Sequence, residues 1–170
     1  MKIRRPRLQD GFTLVELLIV VVILGVLAAI AIPQFSASTD DSKAAALDAT
    51  LSNLRTAIEL YYQQHGSYPS AVAAGGSFGA INTEAAFRDQ LVNYTSAAGA
   101  ASATKDATYK YGPYLKKSTI PADPIKNVAT VEVITTGTLG MTATSGDPGG
   151  WKFDNKTGQL IVNIAAYQSR

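Results

Sequence analysis

A single carboxylate, Glu16, interrupts a long apolar run near the start of the chain. Between Phe12 and Phe35 the only other polar side chains are those of Thr13 and Gln34. An ionised carboxylate in an apolar helix is costly in lipid unless it finds a partner or reaches water. Glu16 therefore predicts either a cationic partner or a position near the headgroups, to which its side chain extends.

The apolar run has the length of a membrane-spanning helix. At about 1.5 Å per residue, residues 12–35 cover the roughly 30 Å of bilayer hydrocarbon. Basic residues precede the run and acidic residues follow it, so the positive-inside rule predicts a single-pass protein with a cytoplasmic N-terminus. These residues are Lys2, Arg4, Arg5 and Arg7 before the run, and Asp40 and Asp41 after it.

The start of the run carries a specific pattern. Gly11 is followed by Phe12, by Thr13 and Leu14, and by Glu16 at the fifth position after the glycine. This pattern resembles the prepilin signal that type IV pilins and type II secretion pseudopilins share. The resemblance implies that prepilin peptidase cuts between Gly11 and Phe12 and methylates the new amino group of Phe12. The alternative is an ordinary secretory signal, which would be cut after the apolar segment.

The resemblance also implies a partner for Glu16. Leader removal creates a cationic amine at Phe12, and a neighbouring subunit in a helical bundle would bring its own amine close. In the resembling family this glutamate neutralises that amine during assembly and is associated with methylation efficiency. The implied partners are other pilin or pseudopilin subunits in a homo-polymer, the prepilin peptidase/methyltransferase, the inner-membrane assembly platform and the membrane. The implied location is the bacterial inner membrane, followed by a periplasmic or cell-surface filament.

The charge of the chain depends on the leader. The 15 basic and 13 acidic residues include four basic residues and one acidic residue of the leader, so the mature chain has 11 basic and 12 acidic residues. No basic stripe with interleaved aromatic residues remains, and no nucleic-acid partner is predicted. The chain has no cysteine, which excludes disulfides and thiolate metal sites. Its C-terminal region thus departs from the disulfide-stapled pattern of many type IV pilins.

These residues are positioned by one long predicted helix, from Phe12 to His65. Gly66 ends it, because glycine accepts the left-handed conformation found after helix ends. Pro33 removes a backbone donor and Gly25 weakens the helix, so we expect a soft segment from Gly25 to Pro33. The second half is amphipathic. Its apolar stripe comprises Leu47, Leu51, Leu54, Ile58 and Tyr61.

The remaining residues predict a small head of helix and sheet. We expect surface loops at 70–80 and 95–108, which are rich in small residues, with a short helix at 84–94 between them. Strand patterns occur at 128–136, 151–154 and 159–164, the last two joined by a turn with Gly158 in the left-handed position. The predicted fold is α+β, a pilin-like lollipop with the long helix packed on an antiparallel sheet of three or four strands. Its parts are a cleaved leader (1–11), a transmembrane and filament-core helix (12–35), an amphipathic helix (36–66) and the head (67–170).

Catalytic chemistry finds little support in the sequence. No thiol, phosphate-binding loop or metalloprotease motif is present, and we expect the single histidine, His65, to play a structural role at the helix end. No cofactor is predicted. Asp123, Asp147 and Asp154 lie near turns and leave open a calcium ion, which C-terminal loop carboxylates bind in the major pseudopilins, although their irregular spacing favours solvated turn residues. Trp151 is expected to anchor the core of the hairpin.

The sequence therefore predicts a structural subunit of a type IV pilus or a type II secretion pseudopilus, polymerised through its N-terminal helix. The alternative is a monomeric, signal-anchored exported binding domain. A third interpretation, an anchored enzyme, would need a pair of carboxylates in a cleft. Two sequons, at Asn93 and Asn155, fit the glycosylation acceptor pattern, which is common by chance.

Overall fold

The computed structural model describes residues 11–170, except the side chains of residues 31–33, 36 and 37. Its first element is a 52-residue helix, α1 (Leu14–His65). The helix begins two residues after the predicted start and ends at the predicted residue. Gly66 follows with a φ of +68°, and its N–H donates to the carbonyl of Tyr62 at 2.8 Å. Glycine accepts this backbone conformation without the strain that a Cβ would add, so the helix stops here.

The chain divides into two compact units, Met1–Ser42 and Lys43–Arg170. Within the first unit, every described side chain from Phe12 to Ile30 is exposed. The predicted membrane span, residues 12–35, includes residues 31–33, whose side chains lie outside the described set. Among the described residues, no helix combines the length and the apolar character that crossing a membrane requires. The predicted leader lies outside the described residues, apart from Gly11.

The core of the second unit forms around the predicted apolar stripe of α1. All five residues of the stripe are at most 2% exposed, which confirms the prediction. They pack with large side chains from the sheet and from a second helix, α2 (Glu84–Val92). These partners are Phe87, Leu91, Trp151, Phe153, Leu160 and Val162. Burial of this apolar surface is the main force that holds the helix end to the head.

The sheet of the head is mixed. It has three strands, β3 (Val131–Ile134), β4 (Trp151–Asp154) and β5 (Leu160–Val162), which follow a separate antiparallel pair, β1 (Tyr94–Thr95) and β2 (Ala101–Ser102). Strands β4 and β5 form the predicted hairpin, and Gly158 has the expected positive φ, +75°. Strand β3 runs parallel to β4, in contrast to the predicted antiparallel sheet. The 16-residue loop between them makes this possible, since parallel neighbours need a long crossover connection.

The small-residue stretches are partly buried, which corrects the prediction that they are surface loops. Ser70, Ala74 and Thr95 are fully buried, and Ala74 packs with Ala86 and Ala101 in a second small cluster. Small side chains let these backbone segments pack closely together. The prediction considered only large apolar side chains and therefore missed this burial. Helix α2 is also shorter than predicted, because Tyr94 begins β1.

The fully buried side chain of Gln90 satisfies the backbone of these stretches. Its Oε1 accepts a hydrogen bond from the N–H of Ser70 at 2.6 Å, and its Nε2 donates to the carbonyls of Val72 and Gly99 at 3.1 and 2.8 Å. Buried backbone polar groups need such partners. One glutamine on α2 therefore joins two loops that the sequence pattern left without regular structure.

Candidate functional site at the start of the long helix

The first turn of α1 is closed by Thr13 and Glu16. The backbone N–H and the hydroxyl of Thr13 each donate to Oε2 of Glu16 at 2.8 Å, and the N–H of Glu16 lies 3.2 Å from the Thr13 hydroxyl oxygen. This reciprocal arrangement is a capping box, in which the residue before the helix and the third helical residue satisfy each other's backbone donors. Glu16 thus has a local role within its own chain.

The amino-acid sequence contains the signal for this cap, which the prediction for Glu16 did not include. The motif Thr-x-x-Glu immediately before an apolar run is a known helix-start pattern. The capping box occupies Oε2 of Glu16, whereas Oε1 accepts no hydrogen bond among the described residues. Phe12, which directly precedes Thr13, is 83% exposed. The carboxylate therefore keeps one oxygen for a second donor while it caps the helix.

The apolar surface of the helix extends from this point. The large apolar side chains between Leu14 and Ile30 are 48 to 80% exposed, which is far more apolar surface than a monomer in water leaves uncovered. The backbone is helical throughout, including the predicted soft segment from Gly25 to Pro33. The side chain of Pro33 lies outside the described set. The softness of this segment stays a prediction.

Neither Gly11 nor Gly25 is required by the described fold. A Cβ built on either glycine would meet no atom within 4 Å, and neither residue has a positive φ. Gly25 lies in a helix interior, where glycine costs about 1 kcal/mol relative to alanine. Both positions therefore carry a glycine for which packing within the described chain gives no reason.

Residues 6–32 match the family model of the prokaryotic N-terminal methylation motif. The start of this chain is a prepilin-type signal. The match confirms the resemblance drawn from Gly11, Phe12 and Glu16. It covers the region in which Glu16 caps the helix and the apolar surface begins.

Several known proteins are similar to the chain. Type II secretion system core protein G of Pseudomonas aeruginosa is 39% identical over 64 residues, which cover 38% of this chain and 45% of that protein. A fimbrial protein of Neisseria meningitidis is 38% identical over 69 residues, 41% of each chain. These two alignments span less than half the length of the relatives. Core protein G of Aeromonas hydrophila is 27% identical over 156 residues, 86% of this chain and 95% of that protein. No solved structure matches the chain significantly.

Outside the prepilin-type signal, the three aspartates considered for calcium each bond to donors of the protein. The carboxylate of Asp123 is fully buried and accepts four backbone N–H groups, from Ile125, Lys126, Val128 and Gly150, at 2.6 to 3.1 Å. Such donors stabilise an anion and present no lone pair to a metal ion. Asp123 is therefore a buried turn anchor, and its surroundings do not fit calcium.

Asp154 and Asp147 also bind donors. Asp154 accepts the hydroxyl of Thr136 and the N–H groups of Gly137 and Lys156 at 2.8 to 2.9 Å. Burial by itself would raise the pKa of Asp154, but the hydrogen bonds from these groups lower it overall. Asp147 accepts the N–H of Ala165. Within the described residues, no three acidic or histidine side chains are arranged to hold a metal ion.

His65 joins the end of α1 to β1 and to the segment that follows β2. Its Nε2 lies 2.8 Å from the hydroxyl of Tyr114 and 3.0 Å from that of Thr95, and its ring packs against Tyr61 with centroids 4.2 Å apart. Burial lowers the pKa of His65, and the carbonyl of Ala97 offsets part of this effect. These contacts hold the head together, as the sequence predicted for this histidine.

Trp151 and Asn155 are both buried in the head. Trp151 is 1% exposed and its indole N–H donates to the carbonyl of Pro121 at 2.8 Å, which confirms the predicted core anchor. Asn155 is 4% exposed, and its amide donates to Ser70 and Asn82. A glycan on Asn155 would therefore require the head to open, so this sequon is not an acceptor in the folded protein.

Proposed function

We propose that this chain is a structural subunit of a filament, either a type IV pilus or a type II secretion pseudopilus, and that it is not an enzyme. The observation that carries the proposal is the prepilin-type signal at the start of an exposed apolar helix, with Glu16 in the first turn. Apolar surface on this scale needs lipid or other helices to cover it. In a subunit that is first held in the membrane and later joins a helical bundle, this surface is covered first by lipid and then by other helices.

Processing is the first step of this function. The basic leader keeps the N-terminus in the cytoplasm, and the first half of α1 holds the precursor in the inner membrane. Prepilin peptidase then cuts between Gly11 and Phe12 and methylates the Phe12 amine. Gly11 is compatible with this step, because a residue without a side chain leaves the backbone at the cut open to the peptidase.

Assembly is the second step. The amine of Phe12 on an incoming subunit, extracted by the inner-membrane assembly platform, pairs with the free oxygen of Glu16 on a subunit already in the filament. The capping box supports this pairing because Thr13 fixes the carboxylate through Oε2 and leaves Oε1 accessible. A charge-assisted hydrogen bond between the two subunits is stronger in the water-poor bundle core than in water. The pair therefore favours the correct axial register of the incoming subunit.

The alignments favour the secretion kind of filament. The similarity to core protein G of Aeromonas hydrophila extends over the helix and the head, whereas the similarity to the fimbrial protein of Neisseria meningitidis covers 41% of the chain. The head distinguishes subunits that share a similar helix. We therefore assign the chain to a pseudopilus-type filament, with a surface pilus as the alternative outcome of the test.

The test combines processing with deletion of the gene. We expect intact-mass analysis of the purified protein to show a methylated chain that begins at Phe12, and Gly11→Leu to accumulate the full precursor. A deletion strain should lose secretion of exported proteins and keep its surface filaments and twitching motility. Loss of twitching with normal secretion would identify a pilus subunit instead. A leader retained in the wild type, or a cut near Ala29, would favour a monomeric anchored domain.

A further inference from the structure

The loop that joins β3 to β4 is unusually long for a connection without regular structure. It spans residues 135–150, and loops of this length are uncommon in compact domains unless tertiary contacts hold them. Its two ends are fixed by Asp154, which binds Thr136 and Gly137, and by Asp123, which binds Gly150. The middle of the loop needs a separate anchor.

That anchor is a polar cluster around Thr144. Lys152 on β4 donates from Nζ to the Thr144 hydroxyl at 2.9 Å and lies 3.4 Å from Oε1 of Glu132 on β3. The Thr144 hydroxyl in turn donates to Oε2 of Glu132. Asn163, just after β5, closes the cluster, because its Nδ2 donates to Glu132 at 2.9 Å and its Oδ1 accepts the N–H of Thr144 at 2.7 Å. Side chains from β3, from β4 and from the residue directly after β5 thus hold Thr144.

The cluster has the oxygen atoms of a cation site and already contains a cation. Glu132, Thr144 and Asn163 contribute carboxylate, hydroxyl and amide oxygens, the oxygen types that calcium takes in groups of six to eight at about 2.3–2.6 Å. The Lys152 ammonium sits against two of these groups, and its side chain is 14% exposed. Lys152 and Glu132 are register partners on adjacent parallel strands, so the backbone itself brings this pair together.

We propose that the Lys152 ammonium is the resident cation of the 135–150 loop and that the head consequently folds without calcium. The resemblance to the major pseudopilins left open a calcium ion at Asp123, Asp147 and Asp154, although their irregular spacing favoured solvated turn residues. Those carboxylates are directed at backbone donors instead, and the cation requirement of the loop is met by a side chain of the chain itself. The proposal concerns folding and is independent of filament assembly.

The protonation behaviour of Glu132 agrees with a bound cation. Burial would raise its pKa, but the hydrogen bonds from Thr144 and Asn163 and the charge of Lys152 lower it overall. Glu132 is therefore ionised at neutral pH, as the partner of an ammonium must be. An uncompensated charge at this partly buried position would be unfavourable, so removal of Lys152 should release the loop.

The test uses the full-length mature protein in detergent, with Trp151 fluorescence as the signal for unfolding of the head. We expect the same Tm in excess EGTA and in added calcium, and no sensitised terbium luminescence from Trp151. We expect Lys152→Met to lower Tm by roughly 5 °C in both conditions. Lys116→Met, which removes an exposed ammonium, is the matched control and should leave Tm unchanged.

Two further variants make the result specific. Lys152→Arg retains the charge and should restore most of the lost Tm, and Glu132→Gln combined with Lys152→Met should be more stable than Lys152→Met alone, because no unpaired carboxylate remains. A wild-type Tm that falls in EGTA and returns with calcium would overturn the proposal. Equal Tm values for Lys152→Met and the wild type would do the same. If Lys152→Met does not fold, the calcium and terbium measurements on the wild type still decide.

Discussion

Glu16 caps the first turn of α1, and we propose that it also pairs with a neighbouring subunit. Its Oε2 caps α1 through Thr13, and its Oε1 accepts no hydrogen bond among the described residues. The capping box orients the carboxylate before any partner arrives, which lowers the entropy that assembly must overcome. The pairing and the capping can be separated, because a capping box accepts glutamine as well as glutamate.

We expect Glu16→Gln to insert into the membrane and to be cleaved normally but to yield few filaments. The amide keeps the cap and removes the charge, so the Phe12 amine of the incoming subunit would be buried without its counter-charge. Filament yield from shearing and the methylation state of Phe12 should be measured in the same sample. Thr13→Val is the matched control, since it weakens the cap and retains the charge. Wild-type yield from Glu16→Gln alone would refute the pairing.

Asp123 offers a second prediction at this scale. Asp123→Ala would leave four backbone N–H groups without their buried acceptor, and we expect it to destabilise the head by about 3 kcal/mol. Urea unfolding followed by Trp151 fluorescence measures this change. Asp106→Ala is the control, because Asp106 also accepts two backbone N–H groups but is exposed. Similar losses for both variants would contradict the role of burial.

At the scale of the element, α1 has different neighbours along its length. Its second half carries the apolar stripe that is buried in the core of the head, whereas the large apolar side chains from Leu14 to Ile30 are exposed. Gly25 and Pro33 both lower the intrinsic stability of this part of the helix. Lipid forbids unpaired backbone groups, but a protein bundle tolerates them.

We therefore expect residues 25–33 to be helical in the bilayer and to lose helical hydrogen bonds in the filament. Such a change would lengthen the subunit and let the polymer stretch. Gly25→Ala should favour the helix by about 1 kcal/mol and give less extensible filaments. Cryo-electron microscopy of the filament provides the measurement. A straight, unbroken helix through Pro33 would show that the prediction is wrong.

His65, at the C-terminal end of α1, predicts that the stability of the head depends on pH. His65 has a lowered pKa in the folded head, so the unfolded chain binds its proton more tightly. Stability should therefore be full above the ordinary value of 6.5 and should fall as pH drops through the lowered value. Urea unfolding of the wild type and of His65→Gln across this range is the measurement, and the variant should have a flatter profile.

The acidic side chains of Glu132 and Asp154 affect stability in a different pH range from His65. The lowered pKa values of Glu132 and Asp154 mean that their contributions are present above about pH 4.5 and are lost only in more acidic solution. The loss of stability near and below pH 6.5 should therefore belong to His65. Identical profiles for His65→Gln and the wild type would exclude this histidine as the cause.

For the whole molecule, the division into two units separates the helix segment that we propose for assembly from the core of the head. The unit Lys43–Arg170 contains the stripe of α1 and the core that covers it. A fragment of residues 43–170 should therefore fold cooperatively and remain monomeric, because it lacks the exposed apolar surface of residues 12–30. Circular dichroism and light scattering would check both properties. A fragment that is unfolded would mean that the first unit contributes to the stability of the head.

The amino-acid sequence alone determined the features that depend on near neighbours. The prepilin-type signal is read within a few residues of Gly11, the stripe of α1 follows the helical period, and the hairpin follows strand alternation around Gly158. Each signal lies within one element, so no knowledge of the fold was needed. The sequence also contained the capping box of Glu16, which pattern recognition could have found.

Only the tertiary structure decided which distant residues meet. The parallel pairing of β3 with β4 depends on the path of a long loop, and the burial of Ala74 and Ala101 depends on close approach of backbones that carry small side chains. The partners of Asp123 and the cluster of Lys152, Glu132, Thr144 and Asn163 join residues up to 31 positions apart. Such hydrogen bonds leave no periodic trace in the chain, because their geometry arises from packing and not from local conformation.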